Sequence, residues 1–229
     1  MVTKNGIVKK TLLSEFEYQR KGGKIAISLD DDDELVFVKH TNGSDGIIVA
    51  SHNGMSARFD EADVRPMGRN ARGVKGITLA DGDYVVGCAL VDDEKSLITI
   101  TENGFGKRCA FSNFTAHSRG VKGVMCHGIS ERTGALAGIA AVSEEDDIML
   151  ITNEGTIIRT PVSGIPFYSR SAGGVIVMRL AEGSTIVNFA RIASEEETAA
   201  EAEAADEIMP DTGLIDMEPT EDVSEDEEI

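Results

Sequence analysis

One short element recurs four times along the chain, and that repetition limits the fold to an array of like units. The copies are Asn5-Gly6-Ile7-Val8-Lys9-Lys10, Asn53-Gly54-Met55-Ser56-Ala57-Arg58, Asn103-Gly104-Phe105-Gly106-Lys107-Arg108 and Glu154-Gly155-Thr156-Ile157-Ile158-Arg159. Their glycines stand 48, 50 and 51 residues apart. Three copies follow a β-rich run: Ile47 to Ser51, Leu97 to Thr101 and Ile148 to Thr152. A run, an Asn-Gly or close relative, and a second run predict a β-hairpin, because the tight turn needs positive φ.

Each copy then reaches a glycine-rich corner: Lys21-Gly22-Gly23-Lys24, Arg72-Gly73-Val74-Lys75-Gly76, Arg119-Gly120-Val121-Lys122-Gly123 and Arg170-Ser171-Ala172-Gly173-Gly174. Strands are expected to leave the corners, over 76–79 and 174–178 among others. A last strand follows an acidic turn, over 34–38, 84–90, 136–142 and 185–192. Four strands per unit predict an all-β, propeller-like array of about four four-stranded blades. No stretch of residues 1–193 sustains a helical period. The first unit has no β-rich run before its Asn-Gly, so its hairpin is expected to have one leg and its blade to be incomplete.

Charge is distributed along the same repeat. The formal net charge is −18, yet residues 194–229 hold 16 Asp/Glu and no Lys or Arg. That stretch lacks aromatics and any apolar period, so it is expected to be a disordered acidic tail. It either solubilises the chain or competes with an anionic ligand for a basic surface. In residues 1–193, the arcs 5–27, 53–79, 103–125 and 154–179 hold 17 Lys/Arg against 6 Asp/Glu. The segments between them hold 4 against 18. Matching arcs of a radial array share one radius, so the basic arcs are expected to line a continuous rim suited to phosphate backbones. The alternative is that these cations only solubilise outer edges. Corner glycines let the backbone approach a phosphate, or simply turn the chain.

Signals for chemistry are lacking. Cys88, Cys109 and Cys126 have no metal-ligand spacing, His40, His52, His117 and His127 are scattered, and Gly104-Phe105-Gly106-Lys107 is too short for a phosphate cradle. No catalytic residue, metal site or cofactor is expected. No apolar run approaches membrane-spanning length.

The units resemble the C-terminal β-pinwheel of the DNA gyrase A subunit, shared in diverged form with topoisomerase IV. The resemblance covers residues 2–193 and rests on Asn5 through Thr11, Val64-Arg65-Pro66-Met67-Gly68, Arg72 through Ile77 and Asn103 through Arg108. It implies a non-catalytic module that wraps duplex DNA around its basic perimeter and so supports negative supercoiling. The catalytic Tyr and the ATPase belong to other parts of that assembly, and Tyr18, Tyr84 and Tyr168 here are read as packing residues. The family's box for wrapping, Gln-Arg-Arg-Gly-Gly-Lys-Gly, is approached by Gln19-Arg20-Lys21-Gly22-Gly23-Lys24-Ile25, which reads as an internal corner. The implied DNA-binding residues are Lys9, Lys10, Arg20, Lys21, Lys24, Arg58, Arg69, Arg72, Lys75, Lys107, Arg108, Arg119, Lys122, Arg159 and Arg170. The implied partners are double-stranded DNA, the rest of gyrase A and the gyrase B protein, in a bacterial cytoplasm near the nucleoid. The domains are then a pinwheel over 1–193 and a tail over 194–229. A topoisomerase IV domain that selects DNA segments, or a protein-interaction scaffold, are the alternative readings.

Overall fold

The computed structural model describes residues 1–18, 21–194 and 198. The expected tail therefore lies, apart from Ser194 and Thr198, outside the described residues.

Among the described residues, fifteen strands form four antiparallel sheets. Blade 1 holds β1 (Val2–Thr3), β2 (Ile7–Val8) and β3 (Leu35–Phe37). Blade 2 holds β4 (Gly46–Ser51) and β5 (Met55–Asp60), followed in the chain by the short β6 (Val74–Lys75) and by β7 (Val85–Val91). Blade 3 holds β8 (Ser96–Thr101) and β9 (Phe105–Ala110), with β10 (Val124–Met125) and β11 (Leu136–Val142) after them. Blade 4 holds β12 (Asp147–Thr152) and β13 (Ile157–Pro161), with β14 (Val175–Ile176) and β15 (Ile186–Ile192) after them.

The corner strand does not join its own hairpin. The sheet orders are β3-β1-β2-β6, β10-β5-β4-β7, β11-β8-β9-β14 and β13-β12-β15. Each corner strand crosses to the outer edge of the preceding blade. Val8 faces Val74, Ser56 faces Val124 and Gly106 faces Val175. A four-stranded blade thus takes three strands from one repeat and the fourth from the next, rather than four from one. Blade 4 has three strands among the described residues. The corner strands are also two residues long, at 74–75 and 175–176 rather than 76–79 and 174–178.

The first hairpin has two legs, contrary to expectation. Val2 pairs with Val8 and, on its other side, with Phe37. The leg is short, so it shows no β-rich run in the sequence.

The hairpin turn follows one recipe. Gly6, Gly54, Gly104 and Gly155 all sit near φ +80, where a Cβ would be strained. In three of them the preceding hydroxyl residue accepts the first N–H after the turn: Thr3 from Ile7 at 3.1 Å, Thr101 from Phe105 at 3.2 Å and Thr152 from Thr156 at 3.1 Å. The same hydroxyl position, Ser51 included, marks a bulge against the last strand of each blade. Acidic turns brace the hairpins from outside, with Asp33 Oδ1 accepting from Asn5 N at 2.9 Å and Asp83 Oδ1 from Asn53 N at 3.0 Å.

The core lies between consecutive blades. Val2, Val8, Val49, Phe59 and Ile77 fill the space between blades 1 and 2, and Ile48, Leu97, Phe111, Phe114 and Leu136 that between blades 2 and 3. Ile98, Ile100, Ile148, Leu150 and Val162 fill the next. Burial of these side chains stabilises each blade against its neighbour. No helix among the described residues is long and apolar enough to cross a membrane.

Candidate nucleic-acid interface

The corners follow one another as a continuous strip. Ser28 N donates to Ala71 O at 3.3 Å, Thr78 N to Val121 O at 2.8 Å, and Gly128 N to Ala172 O at 3.1 Å. These residues are equivalent in successive repeats, so each corner is bonded to the next by the same backbone link. A guanidinium adds a second link. Arg69 donates to Ile25 O at 3.4 Å, Arg119 to Lys75 O at 3.3 Å and Arg170 to Met125 O at 3.1 Å.

This pairing corrects the corner alignment read from sequence. The pentapeptides Arg72–Gly76 and Arg119–Gly123 are identical, but they occupy shifted places. The glycine pressed against the neighbouring hairpin's carbonyl is Gly73 in one repeat, Gly123 in the next and Gly174 in the last, all with positive φ. Lys122 therefore matches Arg72, and Lys75 matches Met125 and Ile176. Backbone fit against the preceding blade sets the register, whatever the side-chain likeness.

The predicted site residues separate into two groups. Lys107 is fully buried, and its Nζ donates to Ser169 O at 2.6 Å and to Arg170 O. Lys9 is 3% exposed, with Nζ donating to Ala26 O at 2.6 Å and to Arg69 O. Burial pulls the pKa of both amines below the ordinary lysine value, and the nearby guanidiniums push the same way. Arg108 is 5% exposed, donates through Nε to Ile165 O at 2.6 Å and stacks its guanidinium on Phe167. In this structure all three tie one blade to the next, and their burial keeps them off the exposed rim expected of them.

Lys10 and Arg58 perform the same task as Arg108 while half-buried. Lys10 Nζ reaches Glu61 O at 2.9 Å, and Arg58 reaches Phe111 O at 2.8 Å and Phe114 O at 3.1 Å. Each thus satisfies carbonyls in or just after the 3-10 turn that follows the next repeat's hairpin. Arg69, Arg119 and Arg170 are half-buried in the corner links already described. Lys24 is half-buried, donating to Glu15 O at 3.1 Å.

The second group is exposed. It comprises Lys21, Arg72, Lys75, Lys122 and Arg159. Arg72 is paired with Asp30 and Arg159 with Asp147 at 2.6 Å. Lys21, Lys75 and Lys122 have no carboxylate partner among the described residues. Arg65 and Arg179 are equally exposed, and the sequence-based residue set omits both. Their signal was available, since both lie inside the basic arcs. Arg20 lies outside the described residues.

No group of three or more His, Cys, Asp or Glu among the described residues could hold a metal ion. The three thiols are buried, and burial pushes Cys88 up to about 11 and Cys126 up to about 12, which removes them from thiolate chemistry near neutrality. His127 is wholly buried, with Nδ1 2.8 Å from Thr99 Oγ1 and Nε2 3.1 Å from Gly173 O. Burial, with Lys107 nearby, lowers its pKa to about 4. Tyr84 stacks on His52 with ring centroids 4.6 Å apart, and His52 Nε2 lies 3.0 Å from Glu102 Oε1. The exposed surface offers charge and backbone amides, which suits binding a polyanion.

Comparison with known proteins agrees with this architecture. The model of the DNA gyrase C-terminal domain, beta-propeller, matches residues 1–42, 47–92, 95–143 and 146–193, one segment per repeat. The chain is 42% identical to the DNA gyrase A subunit of Escherichia coli over 97% of its own length, and 38% identical to that of Staphylococcus aureus over 91%. It spans about a quarter of the length of these curated relatives, 26% and 24% respectively. The crystal structure of the C-terminal domain of DNA topoisomerase IV superposes with a TM-score of 0.81 at 30% identity, covering 89% of this chain and 65% of that one. The DNA gyrase A C-terminal domain gives 0.72 at 27% identity, covering 84% and 64%. With four matched segments covering most of its length, the chain belongs to the family of the DNA gyrase C-terminal domain.

Proposed function

We propose that the chain is the DNA-wrapping module of a DNA gyrase A protein, binding duplex DNA along its strip of corners. It makes and breaks no covalent bond itself. Within the larger enzyme it would act beside the strand-passing part of gyrase A and the ATPase of gyrase B, in the bacterial cytoplasm on nucleoid DNA. One observation carries the reading. Successive corners are bonded edge to edge, and they expose Lys21, Arg72, Lys75 and Lys122 along one connected path.

DNA presents one phosphate charge per roughly 1.7 Å of axis, so a connected path of cations attracts any duplex sequence. The corner backbone adds N–H groups in turns where positive φ opens the chain. Bending a duplex over a curved path costs several kcal/mol, on the order of 1–6 for a short site. Several phosphate contacts are needed to offset that cost.

The test joins binding to topology. The chain is titrated onto relaxed closed-circular plasmid, a type I topoisomerase removes unconstrained strain, and the linking number is read on a gel. A shift that grows with protein shows wrapping. Duplex binding without a shift removes the wrapping role, and absence of duplex binding removes the DNA reading altogether.

The topoisomerase IV superposition favours a second reading, in which the module binds and selects DNA segments. That function predicts crossover preference without a linking-number shift, so the same assay separates the two.

A further inference from the structure

In blades 1 to 3 the corner strand taken from the next repeat forms one edge of the sheet, and the repeat's own last strand forms the other. Corners are bonded to corners along the first edge. Along the far edge the last strands of successive blades touch directly, and two glycines make that contact possible. Gly87 of β7 and Gly138 of β11 are equivalent, facing Ala50 and Ile100 beside the hydroxyl residues Ser51 and Thr101. Both are buried, and neither has positive φ, so no turn requires a glycine there. Space does. A Cβ on Gly87 would lie 2.9 Å from the backbone nitrogen of Ile139 and closer still to its Cγ1. One on Gly138 would lie 2.9 Å from the ring of Phe189 and 3.4 Å from Val86 O. Glycine inside a strand weakens it, and a close approach is one reason to find it there.

The facing residues are equivalent as well. Ile139 pairs with Thr99 and Phe189 with Leu150, at one register position of blades 3 and 4. Between blades 1 and 2 the same two positions hold Phe37 and Cys88, both in the core of that joint, and there the sizes are reversed. Each joint therefore carries one bulky and one small residue, Phe37 with Cys88, Gly87 with Ile139 and Gly138 with Phe189. Matched bulk of this kind fixes a spacing. The corner links, at 2.8 to 3.3 Å, form the opposite side of each joint and serve as its pivot. Edge strands of a four-stranded sheet lie roughly 14 Å apart, three spacings of about 4.8 Å. A Cβ at Gly87 needs roughly 1 Å more room to reach ordinary contact. Over that lever, 1 Å tilts one blade against the next by roughly 4°.

We propose that Gly87 and Gly138 are positioning residues for wrapping. By letting the far edges close, they set the tilt between consecutive blades, and with it the curvature of the strip over which a duplex bends. The role rests on the wrapping function proposed above. Neither glycine lies on the strip, and neither touches DNA. Opening a joint at its far edge brings the two blades closer to parallel and flattens the strip. The exposed cations Arg72, Lys75 and Lys122 keep their places on it, so attraction for phosphate is unchanged while the bend is not.

The test separates bending from binding in the full chain. Gly87→Ala is made, with Gly138→Ala as the milder case, because the atoms nearest its Cβ belong to a side chain. Both variants leave every cation in place. Affinity for a short linear duplex, and its salt slope, are expected to match those of the unmodified chain. The linking-number shift per bound chain on closed-circular plasmid is expected to fall, and small-angle scattering of the free chain to change with it. Trimming the facing side chain, in Gly87→Ala/Ile139→Ala, should recover the shift. Urea unfolding shows which variants are folded, and if Gly87→Ala is not, Gly138→Ala carries the test. A folded variant whose linking-number shift equals that of the unmodified chain overturns the positioning role. So does a shift lost together with affinity for the short duplex, which would mean damage to the strip itself. No shift from the unmodified chain overturns the wrapping function instead, and the positioning role falls with it.

Discussion

The guanidinium of Arg119 donates to the backbone carbonyl of Lys75 at 3.3 Å, while the side chain of Lys75 itself points to solvent. One basic residue holds the strip together and the other is left free on its surface. The same division runs through the repeats, and it orders the effects expected of each substitution.

Removing exposed charge should weaken DNA binding without touching stability. Lys75→Ala and Lys122→Ala are each expected to lower the slope of log affinity against log salt by roughly 0.9, equally on any duplex sequence. Lys39→Ala, exposed but in an acidic segment, is the control. Equal losses at Lys39 would show that no strip is preferred. Arg119→Ala should instead cost about 1 kcal/mol in urea unfolding, through its lost hydrogen bonds to Lys75 O and Asp63 O.

Lys107→Met keeps the aliphatic stem and deletes the ammonium. The carbonyls of Ser169 and Arg170 lose their shared donor, and the expected destabilisation is about 1–3 kcal/mol by chemical denaturation. Folded Lys107→Met protein should bind DNA with unchanged salt slope, because that amine never reaches the surface. A reduced slope would return Lys107 to the interface.

His127 makes stability depend on pH in a defined window. Its folded pKa, about 4, lies below the ordinary value of 6.5, so the unfolded chain binds the proton more readily. The neutral ring's contribution is fully present above pH 6.5 and is lost as pH falls towards 4, a change on the order of 3 kcal/mol. Equilibrium unfolding across that range should show the slope, and His127→Gln should flatten it. An unchanged slope in that variant would assign the effect to other groups.

Gly123→Ala tests the close approach between a corner and the hairpin before it. The position has φ +77, and a Cβ would run into the backbone of Ser56. The expected loss is about 2 kcal/mol by thermal or urea unfolding. Gly164→Ala is the comparison, since a Cβ there meets nothing within 4 Å and φ is not positive; it should be near neutral.

The repeat by itself determined the all-β class, the four units and three of the four hairpins. Those depend on local chemistry, since a glycine at positive φ between two β-rich runs specifies a tight turn wherever it stands. The basic arcs were legible for the same reason, being a property of composition at fixed repeat positions. Tertiary structure decided which repeat each corner strand joins. Nothing within Arg72–Ile77 says that Val74 faces Val8 rather than a strand of its own unit. It also decided which cations are free. Lys107 and Lys122 look alike in sequence, yet one ends among the carbonyls of the next corner and the other in solvent. Burial is set by what packs on a residue from fifty or sixty positions away, and no local pattern records that distance.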